Sequence, residues 1–449
     1  MKKLGLVSLT FAFLSILILS LIEPISSYYE ARTLIAIKTA SHNFSLFLTD
    51  YPHYFSRILY FLTGSFFYKI FSSFPNGDIF SLRLLSVISY SLLAIFLTGF
   101  YEKNFLEKYL LGILILFTSY RFLVFVNRID ALPFYIFLTT GGISSAYFYL
   151  KTQKRKFAIL FWSLCILSFF SYGWFHLLVI PALFLSGILL REKRVFYLIF
   201  NIYGIFFGSF LFSLFYILAK KFHINLPLNF ISYHTFFKLN SDLILYYFKN
   251  LFINYVPYFL LTAFAFFKLF KKKKLEEDRL CFSLFIMVVI TTFLLSFTGE
   301  KYNKYLLFLY PFLAVFFSLI LSETLSIGFL EKVVIFLFVI NLTAFLSIQI
   351  YRMGKTEYRM EILRKVVSEY KNRPLFFWKK NNPVIVYYYG KPVKVIQNFK
   401  ELKNLNFSEI RIIAQKVLNS CSYERIIPDP YKEKLWYVLK CYSEGSSEE

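Results

Sequence analysis

The chain has 449 residues and a formal net charge of +24, and 58% of its residues are hydrophobic, with 60 Phe among them. A water-soluble core cannot hide that much apolar surface, so the composition excludes an ordinary soluble domain. The basic residues occur in short clusters between apolar runs and not along one amphipathic face, which argues against a partner made of nucleic acid. We therefore expect an integral membrane protein.

Apolar runs long enough to cross a bilayer recur over the first 350 residues. A helix of about 17 to 25 apolar residues spans roughly 30 Å of hydrocarbon. The runs are continuously apolar, which favours helices over barrel strands, because barrel strands alternate polar and apolar residues. We predict about eleven spans, at residues 4–22, 82–100, 109–126, 131–150, 157–171, 174–190, 195–218, 250–270, 280–298, 305–321 and 328–350.

Clusters of basic residues recur in alternate loops, as the positive-inside rule requires. The clusters contain Lys2 with Lys3, Lys108, Lys154 to Lys156, Lys193 with Arg194, and Lys271 to Lys274. With an odd number of spans this pattern predicts a multi-pass protein of the inner membrane, whose C-terminal tail lies on the periplasmic side. The predicted break near Ser171 to Gly173, between the fifth and sixth spans, is needed for this topology.

Two loops on the outer side are too long to be turns, at residues 23–81 and 220–249. The first contains the stretches YEARTLIAIKTA and YFSRILYFLTGSFFYKIF, which are typical of helices that lie at the membrane interface. We thus predict an all-α polytopic membrane domain over residues 1–350, with interfacial helices in its first outer loop.

The composition changes after Arg352, where short apolar runs alternate with polar turns. The runs PVIVYYYG, PVKVI and EIRIIAQKVL read as strands, so residues 351–449 are expected to form a small soluble α/β domain. Cys421 and Cys441 flank two further strand-like runs. In an oxidising periplasm they could form a disulfide, and two unpaired thiols are an equal alternative.

The sequence has no Gly-rich phosphate loop after a strand, no zinc-ligand spacing and no G-x-S-x-G elbow. Acids and bases collect instead at the predicted outer ends of helices. Sugar transfer from a phospholipid carrier needs such groups, because cations stabilise the leaving phosphate and a carboxylate accepts the proton of a hydroxyl acceptor. Helix capping and membrane anchoring are the alternative role for each residue. The acids are Glu30, Asp50, Asp130 and Glu300, and the bases are Arg32, Arg57, Arg128, Lys301 and Lys304.

Five parts of the chain, in order, carry recognisable patterns. They are EAR from Glu30 with TDYPHYF from Thr49, FFYKIF with DIFSLRLLSVISYSLLAIFL, NRIDALPFYIFLTT, KYNKYLLFLYPFLAVFF, and VYYYGKPVKVIQNFKEL in the tail. This order resembles the D-E-x-R, E-K-P-P-L-x-Y, R-x-D, K-x-x-x-Y-L-L-P-L-Y-P and F-Y-L-G-R-P-V sequences of the polyprenyl-phosphate-sugar glycosyltransferases of the GT-C fold. That superfamily contains aminoarabinose transferases and protein O-mannosyltransferases.

The resemblance implies roles for individual residues. Glu30 or Asp130 would act as base or position the acceptor, and Asp50 would orient the donor. The implied ligands of the donor phosphate are Arg32, Arg57, Arg83, Arg128, Lys301 and Lys304. The implied contacts of the substrate are Tyr29, Tyr51, His53, Tyr305 and Tyr310. Two positions depart from the pattern, because Tyr29 replaces the first acid and Tyr51 replaces the lysine.

The implied function is inverting transfer of a sugar from a polyprenyl-phosphate carrier to an envelope acceptor, without a metal or cofactor. An acceptor phosphate is already anionic and needs no strong base, so the missing acid favours a lipid A-type glycolipid over a protein hydroxyl. The other expected partner is the bilayer, and the chain is expected to act as a monomer. Alternatives are a transporter or flippase of lipid-linked sugars, an O-antigen ligase or polymerase, and a membrane-anchored binding protein.

Overall fold

The computed structural model describes residues 2–23, 25, 27–50, 57–74, 76–101, 105–126, 128–173, 175–221, 241–271, 279–297, 303–398, 401, 409–418, 421–431 and 434–442. The chain divides into two compact units. The first consists of Met1–Leu21 with Ile37–Phe345, and the second of Ile22–Ala36 with Leu346–Glu449. The second unit therefore includes part of the first predicted outer loop. The domain boundaries at 1–350 and 351–449 stay predictions.

Helices dominate the described part of the chain. In order they are α1 (Lys2–Ile22), α2 (Tyr28–His42), α3 (Phe44–Asp50), α4 (Ile58–Phe71), α5 (Gly77–Leu97), α6 (Phe105–Phe117), α7 (Tyr120–Val126), α8 (Leu132–Thr152), α9 (Arg155–Tyr172), α10 (Val179–Leu189), α11 (Lys193–Ile199), α12 (Ile202–Lys221), α13 (Ser241–Lys271), α14 (Arg279–Leu295), α15 (Tyr310–Thr324), α16 (Ile327–Glu369) and α17 (Pro383–Tyr389). Short 3-10 helices cover Phe175–Leu178 and Asn303–Leu309.

The first unit packs around two apolar helices. Helix α8 contacts α5 and α9, while α15 contacts α6, α13 and α14. In the most apolar 18-residue stretch of Lys304–Thr324, which contains α15, 83% of the residues are buried, whereas the corresponding stretches of Lys193–Leu218 and Ile327–Glu369 are similarly apolar and only 28% buried. Apolar surface exposed on this scale is stable only in a lipid environment. The first unit therefore has the character of a membrane domain.

Five helical segments of the described chain are long and apolar enough to cross a membrane. The predicted number of about eleven spans stays a prediction. The predicted break near Ser171 to Gly173 coincides with the end of α9, where Gly173 has a φ of +128°. The predicted helices of the first outer loop are confirmed as α2 and α4.

Three predicted spans differ from the structure. Residues 195–218 divide between α11, which ends at Ile199, and α12, which begins at Ile202. Residues 109–126 do not form one helix, because the chain leaves α6 at Phe117 and starts α7 at Tyr120. The intervening Thr118 and Ser119 hydroxyls bind local backbone groups, which competes with continuation of the helix. Residues 250–270 lie within the longer helix α13, which is kinked at Tyr255, two residues before Pro257.

The second unit contains a five-stranded mixed sheet of order β2-β1-β3-β5-β4. Its strands are β1 (Leu375–Trp378), β2 (Lys394–Ile396), β3 (Glu409–Ala414), β4 (Cys421–Pro428) and β5 (Leu435–Tyr442). One face is built from Phe376, Ile396, Ile412 and Leu439. This sheet confirms a small α/β fold for the tail.

One predicted strand of the tail is wrong, because the segment is a helix, and the two cysteines of the tail form a disulfide. The run PVIVYYY forms helix α17, which starts with the Asn382 side chain accepting from the Val384 amide at 3.0 Å. The helix ends at Gly390, which has a φ of +77°. Cys421 and Cys441 are opposite each other on β4 and β5 and form a disulfide.

Candidate active site

The N-terminal end of α8 holds the predicted acid Asp130. Its amide donates to the Arg128 carbonyl at 2.9 Å, and its carboxylate accepts from the Leu132 amide at 3.1 Å. The carboxylate therefore helps to start α8, which is the capping role that the sequence allowed. The side chain is buried, and its charge interacts electrostatically with the Tyr90 phenol.

Helix α5 presents polar residues to the same loop. Arg83, Ser86 and Tyr90 share one face of α5, at a spacing of three and four residues. The Ser86 hydroxyl donates to the Arg128 carbonyl at 2.8 Å, which ties the R-x-D loop to this helix. Arg83 is fully buried among the helices. Its predicted contact with a donor phosphate stays a prediction.

Two predicted cations meet on a single tyrosine ring. The Arg57 guanidinium carbon lies 4.8 Å from the ring centroid of Tyr172, and the Lys304 ammonium nitrogen lies 5.7 Å from it. The Lys304 nitrogen is also 5.6 Å from the Tyr305 ring. The Tyr135 ring, in the first turn of α8, packs 5.1 Å from Tyr172. We call these five residues the Tyr172 cluster.

The Tyr172 cluster is electropositive for two reasons. Arg57 and Lys304 both pack against the Tyr172 ring, so two positive charges lie around one side chain. Tyr135 packs on the same ring from the first turn of α8, the end at which the helix dipole is positive. An anion held between the two cations would relieve their mutual repulsion. The arrangement suits a phosphate group.

Tyr310 lies in a different environment from Tyr305, although the two belong to the same predicted motif. Its ring packs edge to face on Tyr255 of α13, with centroids 5.1 Å apart. Its side chain is fully buried. Tyr310 is therefore a packed residue in the helical core, and its predicted contact with the substrate stays a prediction.

An apolar cavity of about 790 Å³ opens between α13 and α14. Its lining includes Leu245, Phe252, Phe259 and Val288, with Lys249 among the few polar residues. Phe259 packs on Phe317 of α15, with ring centroids 5.0 Å apart. The cavity thus lies next to α15, and Lys304 and Tyr305 are in the segment that immediately precedes this helix.

The Arg128 guanidinium carbon lies 5.0 Å from the ring centroid of Phe125, and its contact with a donor phosphate stays a prediction. The other described candidates belong to the second unit, at the start of α2. Glu30 is buried, with 1% of its surface exposed, and Arg32 is exposed. The Glu30 amide donates to the Ser27 hydroxyl at 3.2 Å, so Ser27 caps the helix. Tyr29, at the position of the missing acid, lies on the first turn of α2 and is half-buried.

Several predicted positions lie outside the described residues or side chains. Asp50 ends α3, and only its backbone is described. Tyr51, His53, Glu300 and Lys301 lie outside the described residues. Their roles stay predictions.

Neither Tyr135 nor Tyr172 was among the site residues predicted from the sequence. Their positions were the available signal, because Tyr135 follows Asp130 of the R-x-D motif by five residues and Tyr172 lies within the predicted break.

The chain shares its fold with two solved structures, and this is the GT-C fold that the sequence resemblance implied. Two solved structures of ArnT from Cupriavidus metallidurans are similar to this chain. The apo structure has a TM-score of 0.74 at 11% identity, over 97% of both chains. The structure bound to undecaprenyl phosphate has a TM-score of 0.76 at 10% identity, over 98% of both chains. No model of a protein family and no curated protein matches the chain.

Proposed function

We propose that this chain is an inverting glycosyltransferase, which moves a sugar from a polyprenyl-phosphate carrier to an acceptor in the cell envelope. The observation that carries the proposal is the Tyr172 cluster, in which Arg57 and Lys304 share one ring at the positive end of α8. The proposal draws support from the fold, because a relative of that fold has been solved with undecaprenyl phosphate.

The cations of the Tyr172 cluster would bind the phosphate of the carrier. In the donor this phosphate is a monoanionic diester, and in the product it is a monoester with greater negative charge. Arg57 and Lys304 would therefore bind the leaving group more strongly as the bond to the sugar breaks, which lowers the barrier of transfer. The apolar cavity between α13 and α14 offers room for isoprenoid units of the carrier.

The proposed reaction breaks the bond between the anomeric carbon and the phosphate oxygen, and forms one between that carbon and an acceptor oxygen. The bonding electrons leave with the carrier phosphate. For a hydroxyl acceptor the proton passes to a carboxylate, either Glu30 or Asp130. For a phosphate acceptor there is no proton to remove. Because Tyr29 replaces one acid of the related motif, we propose a lipid A-type phosphate acceptor first and a protein hydroxyl second.

The proposal extends to location and partners. We propose eleven spans in the inner membrane, a periplasmic active face and a monomeric chain. The proposed ligands of the donor phosphate also include Arg32, Arg83, Arg128 and Lys301, with Asp50 orienting the donor and Tyr29, Tyr51, His53 and Tyr310 contacting substrate.

Mass spectrometry of envelope lipids and proteins, with and without the gene, tests the acceptor. We expect one sugar to be missing from a glycolipid when the gene is deleted, and to return with wild-type complementation but not with Arg57→Gln or Lys304→Gln. The matched control is Lys69→Gln, which removes an exposed cation from α4. An unchanged glycan profile together with defective movement of lipid-linked sugar would favour a flippase instead.

The carboxylates are tested separately with Glu30→Gln and Asp130→Asn, against Glu357→Gln as an exposed control on α16. If transfer to a hydroxyl acceptor depends on a base, one of the two variants loses at least about 100-fold in kcat/KM. A retained kcat/KM in both would contradict the assignment of a carboxylate base.

A further inference from the structure

A buried carboxylate in the second unit joins the tail to the start of α2. Asp429 is 1% exposed and follows β4 directly. Its Oδ2 accepts from the Trp436 indole at 3.2 Å, and its Oδ1 accepts from the Tyr431 amide at 3.0 Å. Its carbonyl accepts from the Arg359 guanidinium at 3.3 Å. A buried carboxylate is expensive to maintain, so several donors converging on one imply a specific use.

Two further contacts connect Asp429 and its neighbour Tyr431 to residues more than 400 positions away. The Tyr28 hydroxyl donates to Asp429 Oδ2, and the Tyr431 hydroxyl donates to the Ile25 carbonyl. The Tyr28 and Tyr431 rings pack edge to face, with centroids 5.2 Å apart. Together these contacts hold the chain immediately before α2 and in its first turn. We call Tyr28, Arg359, Asp429, Tyr431 and Trp436 the Asp429 network.

Because Tyr28 lies in the first turn of α2, the Asp429 network fixes the orientation of two candidate site residues. Tyr28 and Arg32 are four residues apart and so lie on the same face of α2, whereas Glu30 lies on the other side. A contact that fixes Tyr28 therefore fixes the rotation of the first turn, and with it the directions of both Arg32 and Glu30. Burial, reinforced by the charge of Asp429, raises the pKa of the Tyr28 hydroxyl, which keeps its proton available for donation.

We propose that Asp429 is a positioning residue, which acts through the Tyr28 hydroxyl to hold Glu30 and Arg32 in the orientation that sugar transfer requires. Its catalytic consequence rests on the proposed function, while the anchoring of α2 does not. The tail thus contributes to the reaction by orienting these two residues, without contacting the reacting atoms.

Tyr28→Phe is the sharpest test, because it removes one hydroxyl and leaves the contacts of Asp429 with Trp436 and Tyr431 in place. Tyr431→Phe removes the bond to Ile25 in the same way. Tyr423→Phe is the matched control, because it removes an exposed hydroxyl from β4. Hydrogen exchange of the full-length protein in detergent, followed by mass spectrometry, reports the anchoring without any need for activity.

In Tyr28→Phe and Tyr431→Phe we expect the amides of residues 27–32 to exchange about five- to tenfold faster, as loss of one hydrogen bond implies. The β3 and β5 amides should stay protected in both variants, and Tyr423→Phe should match the wild type throughout. We expect kcat to fall by a similar factor because Glu30 loses its orientation, and the KM for the donor to rise because Arg32 is a proposed ligand of the donor phosphate.

Unchanged exchange at residues 27–32 would overturn the anchoring. Faster exchange with an unchanged kcat, in an enzyme that Glu30→Gln inactivates, would overturn the catalytic consequence. A wild-type protein that transfers no sugar would refute the proposed function and this consequence with it, while the exchange measurement would still decide whether Asp429 anchors α2.

Discussion

At the scale of single residues, the Tyr172 cluster illustrates what sequence patterns can and cannot predict. Arg57, Lys304 and Tyr305 were predicted as site residues because charged and aromatic side chains occur near the outer ends of predicted helices in a recognisable order. The sequence could not predict that Tyr172 is the ring on which both cations meet, because that contact depends on how α4, α9 and the segment before α15 pack. Residue type was predictable and long-range contact was not.

Removing either cation of the Tyr172 cluster should weaken transfer. A hydrogen bond to a charged group contributes about 1.5 to 3 kcal/mol, so we expect Arg57→Gln and Lys304→Gln each to lower kcat/KM by roughly 10- to 100-fold. Arg57→Lys should restore only part of the loss, because the ammonium lacks the planar surface that stacks on Tyr172. The measurement is kcat/KM with a defined donor, beside Lys69→Gln and the exposed Lys332→Gln as controls. Equal rates in all four glutamine variants would contradict the role of the cluster.

The ring of Tyr172 should matter more than its hydroxyl. Tyr172→Phe keeps an aromatic face for Arg57 and Lys304, whereas Tyr172→Leu removes it and releases both cations from their shared position. We expect Tyr172→Leu to lose at least about tenfold more kcat/KM than Tyr172→Phe, which corresponds to the roughly 1.4 kcal/mol of two weakened cation–π contacts. Phe and Leu variants with the same activity would show that the ring does not organise the cations.

At the scale of elements, the predictions succeeded where one signal dominated and failed where signals competed. Long apolar runs correctly predicted the helices α5, α8, α9 and α15. The run PVIVYYY was misread because its β-branched and aromatic residues favour a strand, while its boundaries favour a helix: Asn382 and Pro383 start it and Gly390 ends it. At this segment the helix-capping residues outweighed the strand propensity of the residues between them. The break after Phe117 involves Thr118 and Ser119, which single-residue propensity hardly distinguishes from a continuing helix.

The turn after α9 should depend on glycine. Gly173 has a φ of +128° and a ψ of −164°, a backbone region that residues other than glycine occupy at a cost of about 1 to 3 kcal/mol. We expect Gly173→Ala to lower the midpoint temperature of unfolding in detergent, and to reduce transfer because Tyr172 directly precedes the turn. Gly354→Ala is the control, because a Cβ added at this helical glycine of α16 meets no atom within 4 Å. If both variants unfold at the same temperature, the turn does not need glycine.

The disulfide should stabilise the sheet of the second unit. Cys421 and Cys441 are 20 positions apart, and closing a loop of this size contributes about 3 kcal/mol in the chain-entropy description. We expect Cys421→Ser, or treatment of the wild type with a reductant, to speed hydrogen exchange of β4 and β5. Cys165→Ser, which changes a buried cysteine of the first unit, should leave β4 and β5 protected. Identical exchange of these strands before and after reduction would show that the bond adds no stability.

At the scale of the whole molecule, the sequence predicted the kind of fold but not its division into units. Composition and apolar runs required a membrane domain, and the change after Arg352 required a different tail. That residues Ile22–Ala36 belong with the tail depends on contacts such as Tyr28 with Asp429, for which no local pattern exists. The same fold at 10% to 11% identity with the solved relatives shows how few residues the architecture itself constrains.

The most direct test of the central claim is transfer by the purified protein in vesicles that contain a polyprenyl-phosphate sugar and a lipid A-type acceptor. Mass spectrometry should detect the glycosylated acceptor and an equal amount of free polyprenyl phosphate, and both products should fall together by roughly 10- to 100-fold in Arg57→Gln and Lys304→Gln. Movement of intact lipid-linked sugar between the leaflets, with neither product formed from any donor and acceptor pair, would contradict the proposed glycosyltransferase.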